Sequence, residues 1–161
     1  MRVSVKITDK NPDVIRELVK RCKGASEAYV TVGVHEDAGE YEGDGAPSVV
    51  EVALWNEFGT HSIPSRPFLR TAIDENVAKI NAWRVEAARK IVFGGWTVEK
   101  GLEMIGFRVQ QLIQNKIRSD VPPPNAPSTA ADKVRRGVAP NTLMDSTLLL
   151  RSVTYKVHKG G

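Results

Sequence analysis

The chain opens on a two-residue period, with Val3, Val5 and Ile7 alternating with Arg2, Ser4, Lys6 and Thr8, which predicts a half-buried strand over residues 2–8. Asn11-Pro12-Asp13 then offers a cap, a first-turn proline and an acid for a helix running to about Cys22, with Val14, Ile15, Leu18 and Val19 in one stripe. The alternation returns over residues 28–34, where Val30, Val32 and Val34 share a face. A polar loop at 35–47 carries Glu36, Asp37, Glu40, Glu42 and Asp44 before a short helix over 48–58. A long helical run from about 67 to 92 places Leu69, Ile73, Val77, Ile80, Ala87 and Ile91 near one face, and Gly94-Gly95 ends it. Thr97 caps a further helix to about Ser119, whose Val98, Leu102, Ile105, Val109 and Leu112 step by 4, 3, 4 and 3, a seam for another helix. A short turn near 144–150 leads to a last strand at 151–158, with Val153, Tyr155 and Val157 on one side. The predicted fold is α+β, one domain over residues 1–161: a small, mostly antiparallel sheet in which the last strand pairs with the first ones, packed with two long helices.

Two proline-bearing connectors interrupt this pattern. In the first, Gly59 ends the helical run, and Pro64 and Pro67 fix φ while pushing Ile63 and Arg66 towards extended backbone. The result is a stiff loop opening into a helix at Pro67-Phe68-Leu69. Arg66, held between two prolines, suits a fork onto a carboxylate or onto helix-end carbonyls, either within the subunit or across a contact. Trp55, Phe58 and Phe68 fall at helical spacings that suit the core, with exposed anchors as the alternative. In the second connector, residues 120–142 hold Pro122, Pro123, Pro124, Pro127 and Pro140, and predict a long extended arm without regular structure. An ordered loop of that length usually has a binding role.

Composition narrows the function classes. With 161 residues, 41% hydrophobic and 26% charged, the chain suits one globular domain. No apolar run approaches the ~20 residues of a membrane span, and Met1-Arg2-Val3-Ser4-Val5 lacks a signal-peptide core. One cysteine, Cys22, excludes an internal disulfide framework and fits a reducing compartment. The net charge of +4 is unevenly distributed. Residues 1–60 carry 7 Lys/Arg against 11 Asp/Glu and residues 61–161 carry 16 against 8, balances of −4 and +8. Such polarity suits head-to-tail contact between copies, or one face towards nucleic acid and another towards protein; segregation on a solvated surface is the plain alternative.

Candidate chemistry is sparse. The acidic loop beside His35 lacks the alternating oxygen ligands and terminal glutamate of a calcium loop, and three dispersed histidines with one cysteine do not make a zinc site. Ser62 and Ser65 lie near His61 without a nucleophile elbow. Gly43-Asp44-Gly45 and Gly94-Gly95 lack the context of a phosphate cradle. No enzyme, metal or cofactor is expected. Arg108, Lys116, Arg118, Lys133, Arg135 and Arg136 suit sequence-independent phosphate attraction, or equally an ordinary wet face.

Two blocks carry a family likeness. Phe58-Gly59-Thr60 followed by Ile63-Pro64-Ser65-Arg66-Pro67-Phe68-Leu69 resembles the signature of tailed-phage virion-morphogenesis proteins, the tail-completion or neck group. The second block, Pro123 to Thr129, Lys133, and Leu143-Met144-Asp145 through Tyr155, is similar to the same family, in which Asp-Thr-Gly is usual; here Ser146-Thr147 replaces Thr-Gly. The resemblance implies a structural virion protein at the head–tail junction, assembled in the host cytoplasm, that completes the tail and joins it to the head. It implies a closed homo-oligomeric ring, of six copies or alternatively twelve, around a DNA channel, touching neighbouring neck, tail and connector proteins. A tail terminator or connector subunit is the sister alternative, and a basic DNA-binding or regulatory module the alternative from another class. Candidate contacts are Phe58, Gly59, Thr60, Ile63, Pro64, Arg66, Pro67, Phe68, Pro124, Asn125, Pro127, Thr129 and Lys133; candidate channel-lining cations are Arg108, Lys116, Arg118, Arg135 and Arg136.

Overall fold

A computed structural model describes residues 12–159; the strand expected over residues 2–8 lies outside the described residues. The elements run α1 (Pro12–Glu27), β1 (Tyr29–Val34), α2 (Val49–Phe58), α3 (Phe68–Asp74), α4 (Val77–Phe93), α5 (Val98–Arg118), α6 (Pro127–Arg135), α7 (Leu148–Ser152) and β2 (Val153–His158), with a 3-10 turn at Glu36–Ala38. The class is α+β, as the alternation of periods predicts, with β1 and β2 paired antiparallel from Tyr29↔His158 to Val34↔Val153.

Local chemistry explains most of the boundaries. Ser48 and Glu51 form a reciprocal capping box at the start of α2, and the Thr97 hydroxyl accepts from the Lys100 amide at the start of α5. The helical run expected from 67 to 92 is broken at Glu75-Asn76 into α3 and α4. There the Asn76 side-chain amide donates to the Ala72 carbonyl at 2.9 Å, taking the acceptor that a continuing helix would give its backbone. The expected arm without regular structure is also corrected, because α6 lies inside it. Pro127 occupies its first turn, where a missing N–H costs nothing.

Helix α5 is the spine. Its buried line runs through Val109, Ile113 and Ile117, and meets Val49, Ala53, Phe68, Ala72, Val121, Leu149, Leu150 and Val153 in one core. The expected seam is therefore rotated: Val109 belongs to it, whereas Val98, Leu102, Ile105 and Leu112 are half-buried. Two glycines set how closely α5 approaches its neighbours. A Cβ on Gly106 would sit 2.7 Å from the Tyr155 ring and 2.8 Å from a Val30 methyl, and one on Gly101 would sit 2.8 Å from the end of Ile91. The sheet thus lays Val30 and Tyr155 on α5, leaving Thr31, Thr154 and Lys156 on its outer face.

Candidate docking surface

The two proline-bearing connectors meet. The Arg66 Nε donates to the Pro123 carbonyl at 2.8 Å, and Nη2 donates to the Pro124 carbonyl at 3.2 Å. The fork therefore takes backbone carbonyls within the subunit, supplied by the other connector and not by the carboxylate or helix-end carbonyls expected. Burial holds the guanidinium below its ordinary pKa, with Asp120 opposing. Delocalised charge and a planar fork make arginine the side chain that tolerates this position.

Each connector is braced along its length. The Glu57 carboxylate accepts from the amides of Leu69 (2.9 Å) and Arg70 (3.0 Å), capping α3 from the preceding helix. The Ser65 hydroxyl donates to the Glu57 carbonyl, and Thr60 accepts from the amides of Ser62 and Ile63. Gly59, at φ +77°, lets the loop fold back on the helix end: a Cβ there would meet the Ser65 nitrogen at 2.9 Å. In the second connector Asn125 donates to the carbonyls of Pro140 and Asn141, and Lys133 Nζ donates to those of Asn141 and Met144. Burial is the main cause that lowers the Lys133 pKa. Asp120 accepts from both the amide and the hydroxyl of Thr142, which is 1% exposed. Thr147, beyond these braces, takes the left-handed conformation at φ 59° and ψ 0°, which glycine adopts without strain.

These braces redraw the expected contact set. Arg66, Phe68 and Lys133 are 7%, 0% and 6% exposed, so their side chains hold the connectors from inside and are not outward contacts. Phe58, expected in the core, is 66% exposed, and Trp55 is 37% exposed. The reason is rotational: α2 buries Val49, Ala53 and Glu57, because Glu57 must reach the start of α3, and this turns Leu54, Trp55 and Phe58 outward. Thr60, Pro64, Pro124, Pro127 and Thr129 are also exposed, while Ile63, Pro67 and Asn125 are half-buried, as is Gly59. A groove of about 440 Å³ runs beside Phe58, walled by Val32, Val50, Leu54, Leu69 and Ile73. The Arg70 guanidinium stands 5.9 Å from the Phe58 ring at its rim.

The candidate channel-lining cations are engaged within the chain. Arg108 donates to Glu86 at 2.7 Å and lies over the Trp83 ring, and Lys116 donates to Glu75 at 2.8 Å. Arg118 donates to Asn115, Arg135 to Asp132, and Arg136 to Asp132 and Asp145. Glu86, which also accepts from Lys90, is held below the usual carboxylate range first by Lys90 and then by Arg108. Among the described residues no group of three His, Cys, Asp or Glu side chains is placed to hold a metal ion, and no helix is long and apolar enough to cross a membrane. The bracing roles of Glu57 and Asp120 are not legible in the sequence, because their partners are set by tertiary folding; an acid two residues before Gly59 is a signal for Glu57 only once the reversal at Gly59 is known. The chain matches no family model, no curated protein and no solved structure.

Proposed function

We propose that the chain is a structural virion protein of a phage neck, completing the tail and joining it to the head as a ring of identical copies around the DNA. The observation that carries this reading is the pairing of an outward apolar stripe, Leu54-Trp55-Phe58, with a neighbouring loop locked by the Arg66 clasp. Scattered exposed hydrophobics need no explanation, but a stripe on one helix beside an apolar groove marks a contact surface. Rigidity matters because a closed ring forms only when each copy meets the next at a fixed angle. The resemblance supports the same reading: its two blocks, far apart along the chain, are joined through Arg66 and the carbonyls of Pro123 and Pro124.

The test is removal of this chain from the particle that contains it. Unjoined heads and tails are the expected products under electron microscopy, rescued when the chain is supplied in trans. Particles that assemble and infect normally without it would overturn the proposal. Separate heads beside tails of uncontrolled length would move the role to the tail terminator.

A further inference from the structure

Phe93 is 82% exposed, more than any other large hydrophobic side chain among the described residues. It ends α4, where Gly94-Gly95 turns the chain towards α5. Cations flank it. The ammonium groups of Lys90 and Lys100 stand 4.4 and 5.0 Å from the Trp96 ring in the same turn, and Arg89 is exposed beside them. Two acids there are already engaged, Glu86 by Lys90 and Arg108, and Glu99 by Lys159. Among the described residues Arg89 and Lys100 have no acid partner, while Glu103 lies exposed further along α5.

A hollow of about 370 Å³ opens between the acidic loop, α2 and the residues that lead into α7, with apolar walls from Tyr41, Ala46, Pro47, Val52, Leu143 and Leu149. Glu42 and Asp145 stand at it. Asp145 is held by Arg136, but Glu42 is exposed, as are Glu40 and Asp44 on either side of it in sequence. None of these three has an ion-pair partner among the described residues. The hollow also belongs to the face that carries the stripe. At 3.6 residues per turn, Val52 and Asn56 in its wall lie to one side of Trp55, with Leu54 and Phe58 to the other.

The turn and the hollow lie at opposite ends of α5. Near its start Glu99 reaches Lys159, just past β2. Towards its end Gln114 donates to the Leu150 carbonyl of α7, and Leu149 joins Ile113 and Ile117 in the core. From residue 98 to residue 114 the helix rises about 24 Å, so Phe93 does not reach the hollow of its own chain.

We infer that the α4–α5 turn of one copy seats Phe93 in this hollow of the next copy, with Arg89 and Lys100 against its acidic lip. The inference rests on the ring reading above and names the surface that meets the stripe-bearing face. Charge selects this hollow over the others. The groove beside Phe58 has the Arg70 guanidinium at its rim, and the one between α4 and α5 has Arg84 in its wall, each of the same sign as the turn. A knob at one end and a socket at the other make a heterologous contact, the kind that repeats around a closed ring. An aromatic anchor supplies affinity, and the opposed charges fix its orientation.

The test is sedimentation of the full chain in two variants, one for each side of the contact. Phe93→Ser removes the knob, and Ala46→Trp fills the socket. Each variant alone is expected to lose self-association at least about tenfold. Mixed in equal amounts they are expected to form a one-to-one complex, because the free socket of the first takes Phe93 of the second. If Ala46→Trp loses its helical circular dichroism, Glu42→Lys replaces it in the mixture. Glu42→Lys is also expected to weaken association by itself, and Arg89→Glu in the same chain to restore it. Association of Phe93→Ser at wild-type strength would overturn the contact, as would a mixture of folded variants that stays monomeric. A wild-type chain that is monomeric at every concentration would overturn it too, while leaving the neck reading to be judged by particles that lack the chain.

Discussion

At the scale of single residues, Arg66 shows how one side chain turns two flexible-looking connectors into a frame. A buried charge is costly, and Arg66 is 7% exposed, yet its two donated bonds and the nearby Asp120 charge offset that cost. Replacing it separates the contributions. Arg66→Met leaves the carbonyls of Pro123 and Pro124 without their donor, and should lower stability to urea by about 1.5–3 kcal/mol, the range for hydrogen bonds to a charged group. Arg66→Lys keeps the charge but can satisfy one carbonyl at a time, so it should recover roughly half of that loss. Equal destabilisation by both variants would mean that the charge contributes nothing and the fork everything. The sequence states that Arg66 suits a fork, because two prolines fix its backbone; it does not state the target, because acceptors 57 residues away are chosen by the packing of α5 and not by neighbours in the chain.

At the scale of elements, α5 is held close to the sheet by the absence of a side chain at Gly106. The obstacles to a methyl group there are Tyr155 ring atoms at 2.7 and 2.8 Å, which cannot bend aside, and a Val30 methyl at 2.8 Å. Gly106→Ala should therefore destabilise by about 1–3 kcal/mol through overpacking, outweighing the roughly 1 kcal/mol that alanine gains in a helix. Gly101→Ala is the matched control. It meets first the terminal carbon of Ile91, at 2.8 Å, which can rotate, so its thermal midpoint should stay near that of the wild type. A Gly106→Ala chain as stable as the wild type would show that sheet and helix can separate without cost. The same contrast explains which elements are legible from sequence. Helices α2 and α5 announce themselves because Ser48, Glu51 and Thr97 cap them locally. The break at Glu75-Asn76 does not, since neither residue is a proline or glycine and the interruption depends on an amide turning back to Ala72. Helix α6 is hidden by its prolines, which read as loop although Pro127 is well placed in a first turn. The meeting of Thr31 with both His35 and His158, at 3.1 and 3.0 Å, is hidden by register, which only the folded sheet supplies.

At the scale of the whole molecule, the internal braces and the exposed stripe use different side chains, so the candidate docking surface can be changed without removing a brace. Leu54 and Phe58 are 50% and 66% exposed, and the Arg70 guanidinium lies over the Phe58 ring. Changing both to serine should cost about 2 kcal/mol at most, since surface substitutions away from caps and cores rarely exceed ~0.5 kcal/mol each and an exposed cation–π contact is worth ~0.5–1. A contact between copies responds differently, because exposed aromatic anchors at the centre of an interface dominate its affinity, each contributing ~2 kcal/mol or more. The Leu54→Ser/Phe58→Ser chain should therefore stay folded, with its helical circular dichroism kept, while losing self-association at least tenfold by sedimentation, where ~1.4 kcal/mol corresponds to a factor of ten. Arg66→Lys should show the complementary pattern, a lower midpoint with its contact residues intact. If the double-serine chain associates as the wild type does, the stripe is not where copies meet, and the acidic loop at 35–47 facing the basic second half of a neighbour becomes the contact to test, with salt rather than serine as the probe.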